Sequence, residues 1–321
     1  MKFLGIDFDY YFENYPDANG YFGKYGGCKN ELPQNILEDM AKSYKEMLVS
    51  EEFKTMQERI RRFRNSVPSP FVLLKEFSNE NVKIYAKLKR PNNLGANPCM
   101  GQGFLARFMD KERIVASAED GVAAVMSSSV GRIPCEVFVN PKISGNMFVL
   151  KLKVMGGTVI ETDGDPREEA IKAATEDSEN TLLFQGTATG SHPYPTIIRD
   201  FSKQIGDETF KQYFELETEL PKAVITAAGK GESSVGFISG FTNIFTDIVA
   251  VSPEAQIPEL MFLNDLERIR FAEVNEDDAA RAAEKLLKLE NIKTDAQSAK
   301  AFAYAVEYAK KLDKGNIIVN L

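Results

Sequence analysis

Apolar and polar residues along the chain form short alternating stretches separated by longer helical patterns. Val82, Ile84, Ala86 and Leu88 place apolar side chains on one face, as a half-buried strand requires. Further strands are predicted at Val137–Val139, Thr158–Glu161, Ala223–Ala228, Asp247–Val251 and Ile317–Val319. Strands that alternate with helices in this way are typical of parallel sheets built from βαβ units.

The helical patterns repeat apolar residues at intervals of three and four. The longest pattern extends from Leu32 to Arg64, and a shorter helix is predicted at Gly101–Met109. Nearer the end of the chain, Asn275 and Asp278 are spaced as in a capping box at the start of a helix. A last helix is predicted from Asp295 to Leu312, with Gly315 at the position that ends it.

The length and composition support a folded protein of two domains. The chain has 321 residues, of which 43% are hydrophobic, so it can bury a large core. Together with the alternation of strands and helices, this predicts an α/β fold of two domains. Each domain should contain a mostly parallel sheet flanked by helices.

Charge and cysteine content exclude several classes of function. A net charge of −8 disfavours nucleic acid and anionic membranes as partners, because both require clustered lysine and arginine. Cys28, Cys99 and Cys135 are scattered and lack the spacing of a metal site, which fits a reduced compartment. The first residues turn acidic at Asp7, too early for a signal peptide, and no apolar run could span a bilayer. We expect a cytoplasmic protein without a bound metal.

Three stretches match the motifs of one enzyme family. They are Gly20–Gly27, Lys89–Gln102 and Gly186–Pro195, the last reading Gly-Thr-Ala-Thr-Gly-Ser-His-Pro-Tyr-Pro. At these places the β subunit of tryptophan synthase reads Gly-Tyr-Phe-Gly-x-Phe-Gly-Gly, then Lys-Arg-Glu-Asp with Gly-Ala-His-Lys, then Gly-Thr-x-x-Gly-Pro-His-Pro-Tyr-Pro. The chain therefore resembles this family of fold-type II pyridoxal-phosphate enzymes from Gly20 to Leu321.

The resemblance fails where the family carries its cofactor lysine. Asn97 and Pro98 stand where the family has His-Lys, and no lysine occurs between Lys89 and Lys111. Enzymes of this kind need a protein amine to form a Schiff base with pyridoxal phosphate. The resemblance implies pyridoxal phosphate as the cofactor, but this former lysine loop predicts that the covalent attachment, and with it the cofactor, has been lost.

The loop that holds the substrate carboxylate in the family is also altered. The family reads Glu-Thr-Gly-Ala-Gly-Gln-His-Gly, whereas this chain has Glu119 and Asp120 before Gly121. A carboxylate ligand would meet like charge there, which costs affinity. Glu119 and Asp120 are the candidate catalytic residues, with Glu119 as a displaced general acid. The alternative is that they form a solvated turn or carry charge at a helix N-terminus.

A glycine-containing loop after the predicted strand Ala223–Ala228 has the form of a phosphate cradle. The family reads Gly-Gly-Gly-Ser-Asn-Ala here and holds the cofactor phosphate. The corresponding residues of this chain are Gly229, Lys230, Gly231, Glu232, Ser233 and Ser234. Lys230 replaces a glycine and Glu232 replaces the serine. We hypothesise that the Glu232 carboxylate itself occupies the anion site, which makes the loop a degenerate one.

Two further features bear on the chemistry. His192 is the only histidine, but in the family its segment is mainly architectural, and we favour that role over catalysis. After the strand that corresponds to Ile317–Val319, the family continues with Ser-Gly-Arg-Gly-Asp, whose serine contacts the pyridine nitrogen. We expect that contact to be missing here.

Three functions follow from this resemblance. The first is a pseudoenzyme that acts as a binding or regulatory subunit, as a homodimer or in a hetero-oligomer with a paralogue or a pathway enzyme. The second is an enzyme with altered, cofactor-independent chemistry that uses Glu119, Asp120, Lys230 or Glu232. The third is a lyase that holds pyridoxal phosphate non-covalently or through a lysine such as Lys89.

The resemblance also implies a division into domains that meet at a cleft. Residues 1–60 and 84–200 would form the N-terminal domain, and residues 61–83 and 201–321 the C-terminal domain. The segment from about 111 to 185 would be the smaller, mobile part.

Overall fold

A computed structural model describes residues 2–3, 6–28, 31–55, 68–88 and 96–321. Residue contacts divide the chain into two compact units. The first unit comprises Met1–Tyr25, Pro68–Asn93 and Ser202–Leu321, and the second comprises Gly26–Val67 and Leu94–Phe201. Each unit contains a mostly parallel sheet with helices, so the predicted α/β class is confirmed.

The strands are short, as is usual for α/β proteins. In chain order they are β1 (Lys2–Phe3), β2 (Ile6–Asp7), β3 (Tyr21–Phe22), β4 (Tyr25–Gly26), β5 (Phe71–Leu73), β6 (Val82–Lys87), β7 (Arg113–Ser117), β8 (Cys135–Val139), β9 (Thr158–Glu161), β10 (Thr181–Leu183), β11 (Ala223–Gly229), β12 (Asp247–Pro253), β13 (Arg270–Ala272) and β14 (Gly315–Asn320). The pairs β1–β2 and β3–β4 form two small sheets.

The helices vary from one turn to six turns in length. They are α1 (Tyr11–Asn14), α2 (Gln34–Val49), α3 (Ala96–Phe108), α4 (Gly121–Gly131), α5 (Pro141–Ser144), α6 (Asn146–Val154), α7 (Pro166–Glu176), α8 (Tyr194–Leu216), α9 (Ser234–Ser239), α10 (Pro258–Asp265), α11 (Glu276–Glu290) and α12 (Ala296–Ala309). Short 3₁₀ turns occur at Phe8–Tyr10 and Lys75–Phe77. Across the described ranges, none of the helices is both long and apolar enough to cross a bilayer.

The second unit is built on a four-stranded sheet in the order β10-β7-β8-β9. All neighbouring strands are parallel, with Thr181 opposite Arg113 and Ile114 opposite Cys135. The middle residues of the inner strand β7, Ile114 to Ala116, are apolar and fully buried, because strands of a parallel sheet are covered on both faces. Parallel strands end at one edge of the sheet, so β7 and β10 deliver the residues after Ser117 and Leu183 to the same edge.

Small residues allow α3 and α4 to approach closely within this unit. A Cβ atom on Gly103 would lie 2.1 Å from the carbonyl oxygen of Ser127, and one on Gly131 would lie 2.4 Å from the carbonyl oxygen of Gly103. Neither backbone can move aside without separating the helices. This contact fixes α4, and with it the loop that precedes α4.

The first unit contains a six-stranded sheet in the order β13-β12-β11-β14-β6-β5. The strands are parallel except for the edge strand β5, which pairs antiparallel with β6. Strand β11 lies between β12 and β14, and its sequence Ala-Val-Ile-Thr-Ala-Ala-Gly is mostly buried. Central strands of parallel sheets are apolar runs of this kind. The loop after β11 therefore begins from a rigid position.

The predicted helix ends are partly confirmed. Oδ1 of Asn275 accepts a hydrogen bond from the backbone N–H of Asp278, so the predicted cap of α11 is present. Asp295 caps α12 through the backbone N–H of Ser298. The prediction for Gly315 was wrong: α12 ends at Ala309, and Gly315 begins β14 at a φ of +138°. Glycine is favoured there because of that φ, not because it ends a helix.

Part of the long helical prediction falls outside the described residues. Helix α2 ends at Val49, and residues 51–55 are again helical. The remainder, 56–64, is not among the described residues. The helix predicted at Gly101–Met109 begins earlier, at Ala96, since α3 includes the residues in which a loop was expected.

Candidate functional site

Two of the sequence motifs meet at the carboxyl edge of the four-stranded sheet. Asp120 lies just before α4, and Gly186 follows β10. A Cβ atom on Gly186 would lie 2.5 Å from Oδ1 of Asp120, so this carboxylate packs directly against the glycine. Asp120 is half-buried, whereas Glu119 is exposed. Of the two candidate acids, Asp120 is the one in contact with the segment Gly186–Pro195.

The start of this segment is held by a buried amide pair. The side chain of Gln102 donates from Nε2 to the backbone oxygen of Gln185 at 2.6 Å and accepts from its backbone N–H at 3.0 Å. Gln102 is fully buried. Two hydrogen bonds between one side chain and one peptide group fix the direction of the backbone at Gln185, and thus the position of Gly186.

The side chain of Gln185 joins a charged pair. Its Nε2 donates to Glu31 at 2.9 Å, and Nη2 of Arg167 donates to both oxygens of the same carboxylate at 3.1 Å. Oε1 of Gln185 points at Gly190, where a Cβ atom would lie only 2.1 Å away. Both glycines of the motif are therefore in contact with polar side chains, Asp120 at one and Gln185 at the other.

Buried groups anchor the rest of the segment. The hydroxyl of Tyr194 donates to the backbone oxygen of Leu183 at 2.6 Å. Burial raises the pKa of Tyr194 far above its usual range, and the charges of Glu31 and Asp120 raise it further. This tyrosine is therefore a neutral hydrogen-bond donor, and its role is to tie the segment to the end of β10.

His192 lies in the same segment and is buried. Its backbone N–H donates to the carbonyl oxygen of Gly27 at 3.0 Å, and its Nδ1 lies 3.5 Å from Oγ1 of Thr196. In the portion of the chain that the structure describes, no group of three or more His, Cys, Asp or Glu side chains could hold a metal ion. The contacts of His192 are those of a packed residue.

The loop after β11 in the first unit is the predicted phosphate cradle. Gly229 and Gly231 have φ values of +51° and +93°, in the region that favours glycine. The backbone N–H of Gly231 donates to the carbonyl oxygen of Ala228 at 3.0 Å, and Oγ of Ser234 donates to the same oxygen at 3.0 Å. Two donors of the loop are thus directed at one carbonyl oxygen at the end of β11.

The two substituted residues of this loop differ in exposure. Lys230 is half-buried and Glu232 is exposed. Oε2 of Glu232 lies 3.6 Å from the place that a Cβ atom on Gly229 would take. Ser233 precedes α9, and the fully buried Ser234 begins it. The carboxylate of Glu232 therefore lies over the open side of Gly229, where the loop backbone would face an anion.

The former lysine loop has a different backbone from the one expected. Asn97 and Pro98 lie in the first turn of α3, where a proline costs no hydrogen bond because the first N–H groups of a helix have no partner inside it. Their side chains, like Lys89 and Gly95, lie outside the described residues.

Comparison with known proteins identifies the family. The family described as "Pyridoxal-phosphate dependent enzyme" matches residues 64–263 of this chain, which is well over half of its length. The chain belongs to this family. The match includes the segment around Asp120, the motif at Gly186 and the loop after β11, so the regions described above are the ones that the family shares.

Individual relatives within the pyridoxal-phosphate family are tryptophan synthase beta chains. The protein from Clostridium botulinum (strain Alaska E43 / Type E3) is 28% identical over 385 aligned positions, covering 98% of this chain and 94% of the relative. The protein from Acinetobacter baylyi is 27% identical over 375 positions, covering 96% and 93%. The resemblance inferred from the motifs is confirmed. The first alignment is longer than this chain of 321 residues, so the relative contains segments that this chain lacks.

The family implies pyridoxal phosphate, and the loop after β11 does not fit its phosphate in the geometry described here. A phosphate dianion needs backbone N–H groups and hydroxyls directed toward it. Here the Gly231 N–H and the Ser234 hydroxyl donate to Ala228, and the carboxylate of Glu232 lies beside Gly229. The negative charge of Glu232 beside Gly229 repels a phosphate dianion.

Several polar contacts that hold the segment Gly186–Pro195 were not predicted from the sequence. Gln102 and Gln185 are 83 residues apart, and Glu31 contacts Gln185 across 154 residues. Gln102 was noted only as part of the motif Lys89–Gln102. The one available signal was that Gln185 interrupts an otherwise apolar run after Thr181.

Proposed function

We propose that the chain is a tryptophan synthase β-like pseudoenzyme that does not retain pyridoxal phosphate and acts as a binding or regulatory subunit. The observation that carries this proposal is the loop after β11. Glu232 places a carboxylate over Gly229, and the donors of Gly231 and Ser234 are directed at Ala228. A phosphate would have to displace the carboxylate and break those two hydrogen bonds.

The sequence around α3 supports the same proposal. Pro98 stands at the position of the family lysine, and proline has no amine with which to form a Schiff base. Loss of the lysine alone would leave a non-covalent site for the cofactor. A missing lysine and an added acid in the phosphate loop together remove both the covalent and the non-covalent means of holding the cofactor.

An exposed apolar face in the second unit supports a binding role. Ile143, Met147, Leu150 and Val154, spaced four, three and four residues apart along α5 and α6, are exposed by 53 to 82%. Residues 141–154 contain three lysines and no acidic residue. Apolar side chains among cations suit a partner protein whose contact surface has an apolar centre and an acidic rim. The partner is proposed to be a second copy, a paralogue or a pathway enzyme that presents such a surface.

An enzyme with altered chemistry is the second candidate. The observation that favours it is the contact between the half-buried Asp120 and Gly186, because it places a carboxylate inside a motif that the family shares. In this reading Asp120 would act as the general acid, and a lyase-like reaction would proceed without a covalent cofactor.

The proposal is tested by adding pyridoxal phosphate to the purified protein. After incubation with excess cofactor and gel filtration, we expect a colourless protein without stoichiometric cofactor. Reduction with borohydride before digestion should leave every peptide from residues 89–111 and 222–240 unlabelled in the mass spectrum. The Clostridium botulinum relative, treated in parallel, is the positive control.

Retention of one cofactor per chain through gel filtration would overturn the proposal. A yellow protein with a labelled lysine would restore the lyase reading, and the labelled peptide would identify the amine. The variant Asp120→Asn distinguishes the pseudoenzyme from the enzyme with altered chemistry. It should leave partner binding unchanged if the protein is a pseudoenzyme. It should abolish turnover of any amino-acid substrate found by screening if Asp120 is a general acid.

A further inference from the structure

A cavity in the second unit lies at the opposite edge of its sheet from Asp120. Its volume is about 210 Å³, enough for a ligand of a few carbon atoms or one aromatic ring. Ile36 and Met40 of α2, Met109 and Leu182 form apolar walls. Lys111, just before β7, contributes an amine. No family motif described above falls on these walls.

The amine of Lys111 is held in one orientation. Its Nζ donates to the carbonyl oxygen of Ser178 at 2.7 Å and to that of Glu179 at 3.1 Å. A lysine ammonium has three N–H donors, whereas the neutral amine has two and a lone pair. The two carbonyl groups match the two hydrogens of the neutral amine, which leaves the third tetrahedral position for a lone pair.

Burial makes that neutral form more accessible to Lys111 than to an exposed lysine. Burial lowers the pKa of Lys111 below its ordinary value of 10.5. The charged groups that oppose this shift are Asp39 of α2 and Glu179 and Asp177 after α7, and they do not overcome it. Near neutral pH, the uncharged fraction of the Lys111 amine is therefore larger than that of an exposed lysine. An uncharged lysine in an apolar pocket is a nucleophile.

We propose that Lys111 captures small, neutral aldehydes with an apolar body in this cavity as an imine. The lone pair of Nζ forms a bond to the carbonyl carbon, and the carbonyl oxygen takes up a proton. That proton comes from the amine, so the first product is a carbinolamine. The C–O bond then breaks as the C=N bond forms, and the second amine hydrogen leaves with the hydroxyl group as water. No oxidant or reductant is required, and water reverses the reaction.

The acidic groups around the cavity restrict the class of aldehyde. Asp39 and Glu179 lie on its wall, so an anionic ligand would meet like charge. Pyridoxal phosphate carries a phosphate dianion and is disfavoured here for that reason. The inference is independent of the proposed function, since it concerns another edge of the sheet and another class of ligand.

The test is reductive labelling with benzaldehyde and cyanoborohydride, followed by quantitative peptide mass mapping. At pH 7 we expect Lys111 to react several-fold faster than the exposed Lys142 and Lys153, because its lowered pKa leaves more of its amine uncharged. The labelling rate at Lys111 should rise with pH and level off below 10.5. With the anionic 4-carboxybenzaldehyde, the ratio of the labelling rate at Lys111 to that at Lys142 and Lys153 should fall by about fivefold or more.

Matched variants separate reactivity from simple accessibility. Asp39→Asn removes an anion that stabilises the ammonium form, so the labelling of Lys111 at pH 7 should increase. Met40→Glu places a charge in the apolar wall and should slow the labelling by benzaldehyde, with circular dichroism and thermal unfolding as checks of the fold. If Lys111 reacts no faster than Lys142, or if the charge of the aldehyde makes no difference, the proposal is wrong.

Discussion

Two glycine-containing loops follow buried strands, and they use their glycines differently. In the segment after β10, Gly186 and Gly190 are glycines because the side chains of Asp120 and Gln185 occupy the space of a Cβ atom. In the loop after β11, Gly229 has space for a Cβ atom, and the φ of +51° is what favours glycine. Packing therefore explains the glycines of the first loop, whereas backbone conformation explains Gly229 in the second.

This difference indicates what has been kept in each unit. The segment after β10 retains the family motif almost residue for residue, and buried hydrogen bonds from Gln102 and Tyr194 hold it. The loop after β11 has Gly229 and Gly231 at positive φ and carries the charged residues Lys230 and Glu232. Substitutions in the first loop should therefore cost stability, and those in the second should change binding.

The largest effect is expected from Gln102→Met. This variant keeps most of the side-chain volume but leaves the buried N–H and C=O of Gln185 without their partner. An unsatisfied buried polar group costs about 1 to 3 kcal/mol, so the loss should be on the order of 4 kcal/mol in urea unfolding. Gln34→Met, on the exposed face of α2, is the control and should change stability by less than about 0.5 kcal/mol. A loss below about 1 kcal/mol for Gln102→Met would show that this pairing does not hold the segment.

The next largest effects on stability are expected from alanine substitutions at Gly190 and Gly229, one in each loop. Gly190→Ala forces a methyl group against Oε1 of Gln185 and should cost about 2 to 3 kcal/mol, as overpacking typically does. Gly229→Ala meets nothing closer than 3.6 Å, so only the left-handed φ opposes it, at about 1 kcal/mol. The comparison between the loops fails if chemical denaturation gives equal losses.

A pH effect on stability is expected from Tyr194 in the segment after β10. Because burial raises the pKa of Tyr194, the folded protein keeps this hydroxyl protonated at pH values where the unfolded chain ionises. The stability that Tyr194 contributes is full below pH 10 and is lost as pH rises above that value. Tyr194→Phe should be less stable at pH 7 by about 1 kcal/mol, the worth of a hydrogen bond.

Unfolding of wild type and Tyr194→Phe in urea between pH 7 and pH 11 is the measurement. The difference between the two proteins should narrow above pH 10. A difference that stays constant through this range would mean that Tyr194 does not remain protonated in a buried site.

The smallest effect on stability is expected at Glu232. Its side chain is exposed, so Glu232→Gln should change the free energy of unfolding by less than about 0.5 kcal/mol. A loss well above that would assign the carboxylate a structural role in the loop and would weaken the contrast between the two loops.

The sequence pattern predicted the scaffold closely because local rules determine it. Strand β9 has the predicted bounds Thr158–Glu161, and the cap of α11 at Asn275 follows from residue type and spacing alone. The positions of the candidate residues after β7 and β11 were predictable for the same reason, since both loops follow clear apolar strands.

The contacts that hold the candidate site were not predictable from the pattern. Gln102 pairs with Gln185, and Arg167 with Glu31, only after the sheet and helices have brought them together. Polar pairs at long sequence separation leave no periodic signal. The start of α3 was also misplaced, because the proline at Pro98 was taken as part of a loop, whereas the first turn of a helix accepts it.

The central claim is that the carboxylate of Glu232 excludes the cofactor phosphate, and one titration tests it directly. Pyridoxal phosphate is titrated calorimetrically into wild type, Glu232→Ser and Glu254→Ser. Glu254 is an exposed acid whose backbone N–H donates to Gly229, so it controls for the general effect of removing a nearby charge. We predict saturable binding to Glu232→Ser alone, with a dissociation constant at least about fivefold below the lower limit that the titrations set for wild type and Glu254→Ser, equivalent to roughly 1 kcal/mol of relieved repulsion. Stoichiometric binding to wild type that Glu232→Ser does not strengthen would contradict the claim.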